Sequence, residues 1–570
     1  MPDTAATAPE APPTAPPDPA LGPSPIPAAP APATTPVPAR PVDDGGIKET
    51  VESILVAFIL AFIFRAFVVE AFVIPTGSMA PTLLGAHMRY HCDDCGYGFD
   101  VNFSGRAVGD EVEIPSVAGG KVYNLNCPNC GRKVPQEDPR EPHNDATSPP
   151  VHYGDRILVL KYAYLLRRPD RWDVVVFKSP EPQQGVPPYV TNYIKRLVGR
   201  PGESVFILDG DVYVGVPDQP QREFRVQAKP RAAQDALWRI VYDNDYLPGR
   251  PDWEPPWVPL PSGSGWSVVD VATGKPLRAL SFDNAEGGGW LRFDPTLAPE
   301  KQAFTDWLAY AVTRGQSAGE SYEYGGLVGR NNVSDLKLSL FYKRESGEGP
   351  LRLQLTKLDE TFTAELLPGK VRLLRRGASS AQDVEVAAAA LPLSPNATMH
   401  VEFMNVDYRV TLRINGRDYL QTSPEQYAPD VAWLLAQHRA NRPLPKPDAK
   451  IGAESQACSL SHVSLWRDVY YTNHDPDRPG QIHWGTPDFP IDLGPKEYWV
   501  LGDNSLMSGD GRYWSIPVDL PDEGLYAKPG VVPERFLLGR AFFVYWPAGY
   551  RPHPRLPGMV PNFGDMRFIQ

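Results

Sequence analysis

One apolar run near the start of the chain constrains it more than any other stretch. Ile54 to Phe64 is continuously apolar, and apolar residues resume from Ala66 to Val69. As a helix rising about 1.5 Å per residue, Val51 to Ile74 is long enough to cross a bilayer. Residues 51–74 are therefore predicted as a transmembrane helix. Arg65 and Glu70 interrupt its second half; Arg65 can snorkel to an interface or pair with Glu70. A cleavable leader fits less well, because no basic region opens the chain and no small-x-small exit site follows. The flanking charges orient the span only weakly, since Arg40 and Lys48 are offset by Glu49 and Glu52.

Upstream, an Ala/Pro/Thr-rich tract fills most of residues 1–46. Such a tract cannot bury a core and reads as a disordered arm. At 570 residues the chain should hold several domains, and its net charge of −12 argues against a nucleic-acid partner. Five cysteines are too few for a disulfide-built scaffold of this size.

Directly after the apolar run comes Pro75-Thr76-Gly77-Ser78-Met79-Ala80-Pro81-Thr82-Leu83. Pro75 stops a helix and Gly77 permits a tight bend, so the Ser78 hydroxyl can be presented on a turn. A serine needs a base to become a nucleophile. No histidine stands in a comparable setting, but Lys195 lies in the apolar run Asn192 to Val198. A lysine drawn into an apolar pocket loses solvation of its charged form and can act as a base. A third signal is the glycine-rich stretch from Gly502 to Trp514, entered from the apolar strand Tyr498 to Leu501. Taken singly, these stretches also read as a solvated loop, an edge-strand lysine and a hairpin turn.

Together, in this order behind an apolar span, they resemble the bacterial type I signal peptidase family. The resemblance covers the apolar span, the Ser78 block, Gly154 to Glu203, and Glu497 to Trp546. It implies a β-rich catalytic core, a Ser–Lys dyad of Ser78 and Lys195, and an oxyanion site made by the Ser78 amide and the Thr76 hydroxyl. Ser508 would orient Lys195, and Asp510 with Arg512 would brace the loop. Phe72, Ile74, Leu83, Tyr193 and Ile194 match pocket positions that favour alanine-like side chains. The resemblance further implies cleavage of signal peptides from exported preproteins without a catalytic cofactor. It implies a single-pass protein of the bacterial cytoplasmic membrane, its N-terminus cytoplasmic and its catalytic domain outside. Two positions depart from the family pattern. Gly511 stands where a serine is usual, and Ser505 where an arginine is usual, which predicts a less rigid loop.

The core segments are predicted as 75–86, 151–209 and 491–570, interrupted by two insertions. The first, 87–150, carries Cys92-Asp-Asp-Cys95-Gly96 and Cys127-Pro-Asn-Cys130-Gly131. Paired C-x-x-C knuckles suit a tetrahedral metal, so a zinc ribbon is predicted at Cys92, Cys95, Cys127 and Cys130, with a hairpin in the gap. Two disulfides are the alternative that an extracytoplasmic site would permit. His87 and His91 are near, but four cysteines already fill a structural site. Cys458 reads as a buried free thiol. The second insertion, 210–490, shows successive strand patterns: Leu336–Tyr342, Leu351–Leu358, Thr361–Leu366, Met399–Val406, Tyr408–Ile414 and Val463–Tyr471. Asn415-Gly416 marks a hairpin. These predict a concanavalin-like β-sandwich, a module type that binds glycans or proteins or serves as a spacer. The fold class expected for the whole chain is thus mainly β.

Two other classes of function compete. One is an inactive membrane-tethered binding protein displaying the ribbon and the sandwich; intact Ser78, Lys195 and Ser508 argue against it. The other is a self-cleaving repressor, against which stand the apolar span and the lack of a DNA-binding helix pair.

Overall fold

The computed structural model describes residues 46–104, 125–134, 151–182, 189–297, 303–311, 331–392 (save 379 and 381), 396–472, 483–548 and 562–570. It also describes short strands at 107–108, 111–112, 314–317 and 320–323. The predicted disordered arm lies almost wholly outside these residues. Strands dominate, as the sequence patterns predict.

The segment 51–74 is not one helix. Helix α1 spans Gly46–Phe67. Val69–Val73, expected as its last turns, is instead strand β1, paired antiparallel with Arg156–Leu160, β2. Val68, Val69 and Val73 are β-branched and suit a strand, and the ladder to β2 supplies the main-chain partners that a helix would otherwise provide. Glu70 pairs with Lys161 at 3.3 Å. Among the described residues, no helix is long and apolar enough to cross a membrane.

The catalytic-core segments build one sheet. With β3 (Val174–Lys178), β4 (Asn192–Gly199), β5 (Glu497–Leu501), β6 (Val532–Pro533) and β7 (Leu537–Trp546), the order is β1-β2-β7-β3-β4-β5-β6, and Arg567–Phe568 pairs with β7. Strands far apart in sequence become neighbours here: β4 pairs with β5, Leu501 facing Arg196. This pairing carries the Gly502–Trp514 loop to the lysine strand.

The large insertion contributes a thirteen-stranded sheet around a separate apolar core. Two of its strands are long, Pro276–Phe293 and Ala449–Arg467, and register shifts interrupt their pairing. Neither was legible as one strand, because bulges break the period-two pattern. Asn415 and Gly416 do form the predicted hairpin turn, with φ of 48° and 76°. Ser204–Leu208 joins the two cores. It is buried on both faces: Val205 and Ile207 enter the catalytic core, Phe206 and Leu208 the core of the insertion. Side chains alternate across a strand, so one strand can serve both.

In the first insertion, His87–His91 and Gly98–Ser104 form a hairpin carrying the first knuckle. The expected hairpin in the gap is present as Ala107–Val108 paired with Glu111–Val112.

Candidate active site

Ser78 sits in the 3-10 turn Gly77–Met79, whose three residues are buried. The turn exists because Pro75 and Pro81 prevent helix or strand on either side and Gly77 accepts a crowded position. Lys195 comes from β4, and its Nζ lies 2.7 Å from Ser78 Oγ and 3.0 Å from the Ile194 carbonyl. The Tyr193 ring stands 5.4 Å from the same nitrogen. Burial pushes the Lys195 pKa down to about 8, although the Asp510 and Asp503 carboxylates pull it back up and Arg512 adds a smaller push downward. An amine so placed is neutral in about a tenth of the molecules at pH 7, the state in which it can accept a proton.

Around the pair, the Gly502–Trp514 loop is tied down by buried charge. Asp510 takes a bidentate contact from Arg512, both bonds 2.8 Å, and accepts from the Gly502 amide at 2.9 Å. Asp510 and Arg512 are thus joined as a buried ion pair. Ser508 differs: its hydroxyl is buried and has no hydrogen-bond partner among the described residues, so the expected direct bond to Lys195 is not made. It instead crowds Gly502, where a Cβ would lie 2.2 Å from Ser508 Oγ and 2.4 Å from the Ser78 carbonyl oxygen. Gly502 is therefore needed for the loop to approach the Ser78 turn.

The two departures from the family pattern do not loosen the loop. Ser505 Oγ accepts from Arg512 at 2.7 Å and from the Thr472 amide at 2.8 Å. Gly511 is buried, and a Cβ there would lie 2.5 Å from the Trp499 indole nitrogen and 2.8 Å from the Gly530 carbonyl. A serine would not fit beside that indole.

Of the expected pocket residues, Phe72, Ile74, Leu83 and Ile194 share one apolar cluster with Met79. Ile74 and Leu83 are fully buried and form its floor. Tyr193 packs elsewhere, against Phe177 and Trp514, because neighbours on a strand face opposite ways. Thr76 is exposed and makes no side-chain capping bond.

Three residues escaped the sequence reading. Asn504 is buried and holds the Ser78 turn twice, through its amide to the Ser78 carbonyl at 3.0 Å and its side chain to the Gly77 carbonyl at 3.1 Å. Arg196 and Asp503, both wholly buried, form a bidentate pair with both bonds 2.7 Å. The only sequence signal was a charged residue inside each apolar run; the partners lie 307 positions apart.

A profile of the family described as signal peptidase, peptidase S26, matches residues 47–98, 138–247 and 411–546, more than half of the chain. The chain belongs to this family. Among curated members, the signal peptidase I of Rickettsia bellii is 24% identical over 163 residues, 29% of this chain and 38% of that protein. The signal peptidase I of Leptolyngbya laminosa is 33% identical over 88 residues, 15% and 42% respectively. The chloroplastic thylakoidal processing peptidase 1 of Arabidopsis thaliana is 32% identical over 84 residues, 14% and 24%. The matched segments span about two fifths of the length of the Rickettsia relative. Solved structures similar to part of the chain include a carbohydrate-binding module, CBM66, from Bacillus subtilis, at 10% identity and a TM-score of 0.20 over 35% of this chain and 95% of that one. Sheep galectin-11 follows at 10% identity and 0.17, over 24% and 92%. At these scores the likeness assigns neither fold nor ligand.

The four knuckle cysteines are buried, unoxidised and mutually within 4.8 Å. Cys92 and Cys130 sulfurs are 3.6 Å apart, and Cys95 and Cys127 sulfurs 3.7 Å. A tetrahedral zinc with bonds of about 2.3 Å needs sulfurs about 3.8 Å apart, so the donor set fits one ion. Gly96 and Gly131 close the knuckles at φ of 77° and 78°, each amide bonding the carbonyl of the first cysteine at 2.9 Å.

Proposed function

We propose that the protein is a signal peptidase I, cleaving signal peptides from exported preproteins by Ser–Lys catalysis. The observation that carries this reading is the buried 2.7 Å contact between Lys195 Nζ and Ser78 Oγ. Neutral Lys195 takes the Ser78 proton as Oγ adds to the scissile carbonyl carbon. The oxyanion that forms is held by the Ser78 amide and the Thr76 hydroxyl. Lys195 then returns the proton to the leaving amine, the C–N bond breaks, and water hydrolyses the resulting ester. Asn504, Asp510 and Arg512 keep the turn and the loop in register. Ser508 supports the lysine by filling space beside it. Phe72 borders the substrate over the floor of Ile74, Leu83 and Ile194, where small side chains fit.

Two further features belong to this reading. Zinc closes the Cys92, Cys95, Cys127 and Cys130 site and stiffens the first insertion. Helix α1 tethers the chain to the cytoplasmic membrane with its catalytic domain outside; in support, Ile54, Leu55, Phe58, Ile59 and Leu60 are about half exposed or more and point around the helix. The test is cleavage of a signal-peptide substrate by detergent-solubilised protein. Wild type should cut and Ser78→Ala should not; equal processing by both would overturn the nucleophile.

A further inference from the structure

Both insertions reach the residue just before the nucleophile. A Cβ at Gly77 would lie 2.5 Å from Asn102 Oδ1 and 2.5 Å from Tyr310 Cε1. Asn102 comes from the strand Gly98–Ser104 of the cysteine module, and Tyr310 from the turn Ala309–Ala311 of the large insertion. Tyr310 packs on Ala80 and Leu84, within the same segment as Ser78. It is also part of the wall of a cavity of about 240 Å³, which Pro81, Phe99, Trp238, Phe304 and Trp307 share. Pro81 follows Ser78 by three residues, at most about 11 Å of chain.

The cavity is apolar but rich in donors. Among the described residues, Trp238 Nε1 is buried without a partner, and the buried Tyr310 hydroxyl has no acceptor for its proton. Arg239 and Arg467 also border it, each 5% exposed. Their hydrogen bonds run to main-chain carbonyls, of Ala236, Trp238 and Asp503 for Arg239 and of Trp307 and Asp468 for Arg467. Among the described residues neither forms an ion pair, and burial pushes the Arg467 pKa down to about 10. Buried donors without acceptors are costly, so a ligand that brings carbonyl oxygens and an apolar body suits this wall. An extended polypeptide brings both.

We propose that this cavity is an additional substrate subsite, formed by the two insertions, that receives a bulky apolar side chain of the polypeptide to be cut. It rests on the peptidase reading and adds a selectivity that small-residue pockets alone would not give. Arg239 connects it to the catalytic loop, donating to the Asp503 carbonyl at 3.3 Å.

The test uses full-length protein and a peptide series with one small-residue cleavage sequence, in which each position within about five of the cut is alanine or phenylalanine. At one position phenylalanine should raise kcat/KM about tenfold over alanine, and Trp307→Ala and Tyr310→Phe should shrink that ratio toward one. The ratio within one enzyme is insensitive to the fraction folded. Cleavage with no phenylalanine preference at any position, or a ratio unchanged in both variants, would overturn the subsite and leave the peptidase standing. If no peptide is cut, calorimetric binding to Ser78→Ala protein decides. Phenylalanine-dependent binding that Trp307→Ala abolishes keeps the subsite while the peptidase reading falls; binding without that dependence sinks the subsite too.

Discussion

In the proposed mechanism Lys195 is the residue on which the chemistry turns, because its environment sets its protonation. Free lysine titrates near ~10.4 and is charged at neutral pH. Burial moves Lys195 to about 8. At pH 7 roughly a tenth of the molecules then carry the neutral base. Cleavage should therefore rise about tenfold per pH unit below 7, bend near 8 and level above 9, with no histidine-like limb. Lys195→Arg should lose at least ~10³-fold, since guanidinium stays protonated. Rates measured against pH for both proteins check this; a flat profile in wild type would remove Lys195 as the base. The same depression makes the folded state bind this proton less tightly than the unfolded chain. Its contribution therefore opposes folding below about pH 8 and fades as pH rises toward ~10.4.

At the scale of elements, two staples hold the site. Arg196 on β4 and Asp503 just after β5 lock the lysine strand to the loop that grips the nucleophile turn. Both side chains are wholly buried, so Asp503→Ala leaves an unpaired guanidinium and should cost about 3–5 kcal/mol. Denaturant unfolding measures it; a loss under about 1 kcal/mol would mean that the pair is not stabilising the fold. The second staple is the cysteine cluster. Elemental analysis should return one zinc per chain. Chelation or Cys92→Ser should expose the segment from His87 to Val134 to protease while the rest stays resistant. Absence of metal with both knuckles oxidised would refute the ribbon.

For the whole molecule, the insertion is built into the enzyme rather than appended. Ser204–Leu208 gives one face to each core, and Lys229, paired with Asp407 and Asp468 within the insertion, stands 5.5 Å from the ring of Trp172 of the core. On helix α1, Ile54, Leu55, Phe58, Ile59 and Leu60 are about half exposed or more. A chain lacking residues 1–61 should still cut a soluble peptide at a rate within about threefold of the full chain, yet should no longer float with lipid vesicles. Flotation of the shortened chain would assign lipid binding to another surface.

Lys195 as the partner of Ser78 followed only from the family resemblance; the sequence by itself determined the mainly β class, the Ser78 turn, the paired knuckles and the Asn415-Gly416 hairpin. Each is a local matter of proline, glycine, spacing or alternation, which a single stretch can express. Only the tertiary structure decided that Val69–Val73 is a strand, because its partner β2 lies some ninety residues on and supplies the ladder that overrides a helical reading. Only it could show that Gly511 tightens the loop, since the Trp499 indole and the Gly530 carbonyl arrive from elsewhere. Arg196 with Asp503, Asn504 on the Gly77 carbonyl, and Tyr310 against Gly77 were invisible for the same reason. A contact between distant segments leaves no periodicity in either; it exists once the sheet order β4-β5 and the packing of the insertion bring the partners together.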